Sequence, residues 1–216
     1  MNRQNIIFAS LSVTLAIAIV AAGYATGTGP IEVISMAISR LTSGGQMIPS
    51  RTVVTESKAP AAPEISSGLW INSEPLTLMS LQGRVVLIEF WTFGCYNCRN
   101  VLPSVKAWDA RYRDKGLTII GVHTPEFDSE RNIDTLRREV AELGIQYPVV
   151  SDNDYATWKA YGVEAWPTLF VVDKQGRVRW AHVGEGAYDE TEEVIKKLLA
   201  EEESSTVANP SEKSGE

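Results

Sequence analysis

The sequence predicts an α/β fold, a central mixed β-sheet flanked by helices, and three observations carry that expectation. Short runs rich in Val and Ile, such as Val85-Val86-Leu87-Ile88 and Leu117-Thr118-Ile119-Ile120-Gly121-Val122, read as buried strands. Stretches of helical periodicity separate them, and the order strand–helix–strand–helix closes in a hairpin and a last helix. At 216 residues, 44% hydrophobic and 22% charged, the chain suits one globular domain with extra segments at its ends, or two small domains.

The compact part is expected over 68–200. Leu69 to Leu78 reads as a short extended hairpin turning at Asn72-Ser73-Glu74, and Val85 to Trp91 as a buried central strand. Cys95 to Lys115 is helical with a kink at Pro103, and Leu117 to His123 is a second buried strand. Ser129 to Leu143 forms a helix capped by Ser129, with Ile133, Leu136, Val140 and Leu143 on its apolar face and Gly144 ending it. A short strand at Tyr147–Val150 and a short helix at Tyr155–Tyr161 follow. Strands Thr168–Val172 and Val178–Val183 join through a turn at Asp173-Lys174-Gln175-Gly176, and Tyr188 to Leu199 is the closing helix. No internal repeat is present.

The ends have a different character. Ile6 to Ala22 carries no charge, and extended to Ala25 it approaches the ~20 residues that span a bilayer. Residues 1–26 are therefore either a membrane anchor or a signal peptide cleaved near Val20-Ala21-Ala22. The apolar run is longer than a usual signal core, which favours an uncleaved single-pass anchor. Arg3 on the cytoplasmic side directs the rest of the chain to the extracytoplasmic (periplasmic or extracellular) side. Residues 27–67 read as a linker, with a short apolar-faced helix at Ile31 to Leu41 and a Gly/Ser/Pro/Thr-rich tether after Gly44. Residues 201–216 hold five Glu and one Lys, most of the net charge of −7, and read as an acidic disordered tail. The remainder is nearly neutral and offers no basic field for nucleic acid.

Chemistry concentrates in Phe90-Trp91-Thr92-Phe93-Gly94-Cys95-Tyr96-Asn97-Cys98, which holds both cysteines of the chain. A pair two residues apart closes almost no loop and adds little stability, so its spacing argues for reactivity. Two thiols so placed can form and break a disulfide within one helical turn, a redox-active Cys95–Cys98 pair needing no other cofactor. A zinc site would need a second ligand pair, and haem attachment would need His where Arg99 stands. His123 and His182 have no ligand-like spacing and read as structural.

The element order, the Trp91-x-x-x-Cys95-x-x-Cys98 junction and Trp166-Pro167-Thr168 before a late strand together resemble the thioredoxin superfamily. The inserted strand and helix between Leu117 and Tyr161 resemble its membrane-tethered TlpA/ResA group. Phe90-Trp91-Thr92-x-x-Cys95-x-Asn97-Cys98 and Val122-His123-Thr124-Pro125-Glu126-Phe127 are similar to the thioredoxin-like domain of DipZ-type proteins. The resemblance covers about Leu69 to Leu199 and implies a thioredoxin-like fold.

It also implies roles. Cys95, at a helix mouth that favours an anion, is the attacking nucleophile, and Cys98, one turn inside, resolves the mixed disulfide. Pro167 matches the family's cis-proline facing the disulfide, with Trp166 lining the docking surface and Phe93 and Tyr96 forming an apolar rim or simply packing locally. Trp91 reads as packing support. Glu89 stands where thioredoxin carries a buried acid, and strand alternation sets it on one face with Val85, Leu87 and Trp91. There it would shuttle a proton to or from Cys98; the alternative is a Glu reaching solvent at an edge. The second buried acid of the ResA group falls at Val101 and is absent.

The function implied is an extracytoplasmic thiol–disulfide oxidoreductase exchanging with protein cysteines. The family likeness favours the reducing direction, as in cytochrome c maturation or metal-centre assembly, fed by an upstream membrane thiol reductant. Two alternatives remain. Thr92-x-x-Cys95 matches part of the peroxiredoxin pattern, although Ile88 replaces its proline, and a copper-delivery protein could use both thiols with a histidine.

Overall fold

The computed structural model describes residues 55, 58–66 and 68–201. The anchor or signal segment, the linker apart from 55 and 58–66, and the acidic residues after 201 lie outside the described residues. Among the described residues no helix is long and apolar enough to cross a membrane.

Six strands form one mixed sheet: β1 (Trp70–Ile71), β2 (Val85–Trp91), β3 (Leu117–His123), β4 (Val149–Ser151), β5 (Thr168–Val172) and β6 (Val178–Val183). Their spatial order is β1-β4-β3-β2-β5-β6. The neighbours β2, β3 and β4 run parallel, while β5, β6 and β1 pair antiparallel. The helices are α1 (Tyr96–Tyr112), α2 (Ile133–Glu142), α3 (Ala156–Ala160) and α4 (Tyr188–Ala200). The expected α/β thioredoxin-like fold is present.

Alternation along β2 divides the interior into two layers. Val85, Leu87 and Trp91 face a core shared with Val101 and Val105 of α1 and Ile195 and Leu198 of α4. Val86, Ile88 and Phe90 face a second core with Ile120, Val122, Phe170 and Val172, covered by Trp158 and Tyr161. Both faces of β2 are thus dry, which explains its unbroken apolar run. Glu89 is the exception, and it lies on the α1 side.

Four expectations shift. Leu69 to Leu78 is not a hairpin: β1 pairs with β4, and the chain after the turn forms a 3-10 turn at Met79–Leu81. The helix capped by Ser129 begins later, because 128–131 is a separate 3-10 turn and Asn132 takes the cap, its side chain accepting the Thr135 amide at 2.9 Å. Replacing Asn132 by Ala should therefore cost about 1 kcal/mol, read from the urea midpoint, whereas Ser129→Ala should move it little. Helix α1 continues through Pro103 to Tyr112 before a 3-10 turn at Arg113–Lys115.

The fourth shift concerns the domain's limits. The linker expected to end at 67 gives way to ordered chain by residue 60. Pro60 and Ala62 bond the backbone of Val178 and Gly176, Pro63 accepts from the Tyr161 hydroxyl, Ile65 is buried, and Leu69 meets Ser151. This strap runs from the β5–β6 turn to the end of β4. At the other end, Glu201 belongs to the domain rather than to the tail: its carboxylate pairs with the buried Arg179, and Lys174 donates to the carbonyls of Leu199 and Glu201.

Candidate active site

β2 delivers Cys95 to the start of α1 because its apolar run ends at Trp91 and a tight turn through Thr92, Phe93 and Gly94 follows. Cys95 is the N-cap of α1, with extended backbone, and its Sγ accepts the Cys98 amide at 3.2 Å. Sulfur here takes the place usually filled by a Ser or Asp oxygen. The half-buried Cys95 and the buried Cys98 are both free thiols. Burial, then the hydrogen bond with Cys95, pushes the Cys98 thiol well above its ordinary range; the Thr92 amide pulls the other way, and charge on Cys95 or Glu89 raises it further.

Glu89 is 1% exposed, which removes the alternative of an acid reaching solvent. Burial raises its carboxyl to about 7, and the Tyr147 hydroxyl, donating to Oε2 at 2.9 Å, pulls it back toward the ionised form. Tyr147 is itself pinned, since the Asn72 side chain donates to its carbonyl and to that of Ile145. Gly121 lies opposite Glu89 in the β2–β3 register, and a Cβ there would stand 2.8 Å from Trp91 Nε1 and 3.2 Å from the Tyr147 ring. The glycine leaves room for both aromatic side chains.

The Trp166–Pro167 peptide is cis. Pro167 leads into β5, and the pairing Phe90↔Thr168 brings it to the same end of the sheet as Cys95. Trp166 is half-buried, its indole N–H donating to the Thr124 carbonyl at 3.0 Å and its ring 4.3 Å from that of Trp158. Of the two aromatic rim residues, Tyr96 is 76% exposed, whereas Phe93 is turned inward onto His123. Phe127, 61% exposed, contributes apolar surface that the motif reading did not assign.

Tyr147 and Glu130 are not singled out by the sequence, and His123 reads there only as structural. Tyr147 reads only as the start of a strand, yet it is the partner of Glu89. His123 is completely buried beside Thr92 and held neutral, burial lowering it to about 4. Glu130 is 3% exposed and accepts three backbone amides. Only the nearby His123-to-Phe127 motif could have drawn attention to them. Among the described residues no group of three or more His, Cys, Asp or Glu side chains is placed to share a metal ion.

The chain is similar to several known proteins. Protein DipZ of Mycobacterium bovis is 44% identical over 133 residues, 60% of this chain, which spans only 19% of that protein's length. The thiol-disulfide oxidoreductase YkuV of Bacillus subtilis is 28% identical, covering 62% of this chain and 90% of its own. The crystal structure of a thiol-disulfide isomerase from Corynebacterium glutamicum superposes with a TM-score of 0.58 at 25% identity, covering 65% of this chain and 98% of that one. The AhpC/TSA family profile matches residues 60–181, beginning where the ordered strap begins. That match takes in more than half of the sequence, and the chain belongs to the AhpC/TSA family.

Proposed function

We propose that the chain is a membrane-tethered, extracytoplasmic reductant of protein disulfides. The observation that carries the exchange chemistry is the inequality of the two thiols. Cys95 is accessible at a helix N-terminus, and Cys98 is buried one turn inside, within the electrostatic reach of Glu89. The Cys95 thiolate attacks a substrate disulfide, forming one S–S bond as the substrate's own breaks, and the departing sulfur takes up a proton. Cys95 then no longer carries charge, which removes part of what holds Cys98 protonated. Glu89 accepts the Cys98 proton, Cys98 attacks Cys95 Sγ, and the second substrate thiol leaves. Two electrons pass to the substrate, and a thiol donor must return them.

A protein substrate rests on the likeness to thiol-disulfide oxidoreductases and on the exposed Tyr96 next to Cys95. The extracytoplasmic location rests on the apolar stretch from Ile6 to Ala25, and the reducing direction on the likeness to the ResA and DipZ group. A thiol peroxidase reading draws on the AhpC/TSA match and on Thr92 three residues before Cys95. Against it, the Thr92 hydroxyl faces His123 Nε2 at 3.1 Å, and Cys98 is placed to resolve within the same helix.

The deciding experiment expresses the full chain as Cys98→Ser in cells. Cys95-linked mixed disulfides with exported proteins and with a membrane thiol donor are the expected result. Consumption of hydrogen peroxide by the wild type, with no protein captured, would replace this reading by the peroxidase one.

A further inference from the structure

Thr92, Phe93 and Gly94, which lead from β2 to Cys95, are each held by the segment running from the end of β3 toward α2. His123 Nε2 lies 3.1 Å from the Thr92 hydroxyl. The Phe93 ring stacks on the same imidazole, centroids 5.2 Å apart and planes 12° from parallel. The Gly94 amide donates to Glu130 Oε1 at 3.1 Å, while Glu130 Oε2 accepts the Glu126 and Phe127 amides at 2.6 and 3.1 Å.

Neither side chain is a surface accident. His123 is 0% and Glu130 3% exposed, and a buried carboxylate is tolerated only when its oxygens are well supplied with donors. His123 Nδ1 has no hydrogen-bond partner among the described residues. A buried lone pair costs less than a buried orphan N–H, so the tautomer with Nε2–H donating to Thr92 is the favoured one. The approach at Gly94 is close: a Cβ there would stand 2.1 Å from Glu130 Oε1. The Thr92 carbonyl in turn accepts the Cys95 amide at 3.3 Å, so the grip reaches the nucleophile's own backbone.

We propose that His123 and Glu130 form a positioning clamp that fixes residues 92–94, and with them Cys95 Sγ at the mouth of α1, so that exchange at Cys95 depends on two side chains that never touch the reacting sulfurs. The clamp rests on the reading of Cys95 as the attacking thiol. It also gives the His123-to-Phe127 motif a purpose, since that motif supplies the imidazole and two of the three amides that orient Glu130.

The test uses the full chain as Thr92→Val, which keeps shape and loses the hydroxyl, Thr92→Ser, which restores it, and Glu130→Gln. Two rates are measured: alkylation of Cys95 by iodoacetamide at neutral pH with Cys98→Ser in every chain, and kcat/KM for a disulfide-bonded protein with Cys98 intact. Thr92→Val and Glu130→Gln should each slow both rates about tenfold, the scale of a modest misplacement of a reacting group. Thr92→Ser should recover to within about twofold of wild type on the same scale. Removing the Glu130 charge alone favours a nearby thiolate and would speed alkylation. Unchanged or faster alkylation in folded Glu130→Gln therefore overturns the clamp. Should Glu130→Gln fail to fold, the Thr92 pair decides alone, and equal rates for its Val and Ser forms overturn the proposal. If the wild type reduces no protein disulfide, the reading of function fails while the alkylation arm still decides the clamp.

Discussion

Cys95→Ser is expected to lower kcat/KM for a disulfide-bonded protein by about 10³-fold or more, since it removes the sulfur that forms the first bond. Glu89→Gln should act differently. It leaves Cys95 and its helix mouth intact, so the first attack proceeds and the mixed disulfide accumulates; what slows is release by Cys98, about 10²-fold for loss of a positioned base. The wild-type rate should rise with pH through about 7 as Glu89 ionises, and that inflection should vanish in Glu89→Gln. Stopped-flow measurement of formation and decay of the mixed disulfide from pH 5 to 9 separates the two steps. An inflection near 7 that persists in Glu89→Gln would assign the proton to another group.

Stability should show two opposed pH dependences that nearly cancel in the wild type. Burial raises Glu89 from 4.5 to about 7, so the unfolded chain gives up that proton first. The stabilisation is whole below the unfolded value and is lost as pH rises through 7. His123 is lowered from 6.5 to about 4, so its contribution is whole above 6.5 and is lost as pH falls through 4. Each shift corresponds to about 3 kcal/mol, over nearly the same interval and with opposite sign. Glu89→Gln should therefore gain stability steeply between pH 4.5 and 6.5, and His123→Gln should lose it. Urea unfolding of the three chains at pH 5 and 7 reads the effect, because every other group is common to all three. Parallel behaviour of the three chains would show that neither side chain is held as the structure places it.

The strands Val85–Trp91, Leu117–His123 and Thr168–Val172 are legible as mainly apolar runs, and Val178–Val183, which carries Arg179 and His182, by the turn at Asp173-Lys174-Gln175-Gly176 that precedes it. For β1 the extended conformation is legible but its partner is not, since the pairing with Val149 and Val150 comes from far along the chain and leaves no local trace. The start of α2 is ambiguous locally, as Ser129 and Asn132 are both good caps three residues apart. At the site, the cysteine pair announces itself by spacing, and Pro167 and Glu89 by resemblance. Tyr147, His123 and Glu130 do not, because what distinguishes them is burial against segments that the fold alone brings together. For Phe93 the sequence leaves rim and local packing open, and the stack on the buried His123 imidazole settles it as packing.

The strap at residue 60 and the Glu201–Arg179 pair have a common consequence. Chain enters the domain beside the β5–β6 turn and leaves it beside Lys174 of that same turn. Antiparallel pairing of β2 with β5 puts this turn at the pole opposite Pro167 and Cys95. Entry and exit share a socket, and the reactive end points away from it. Such a domain can be spliced into a longer polypeptide without threading that polypeptide past the sulfurs, which suits a unit whose DipZ counterpart is a minor part of a much larger protein.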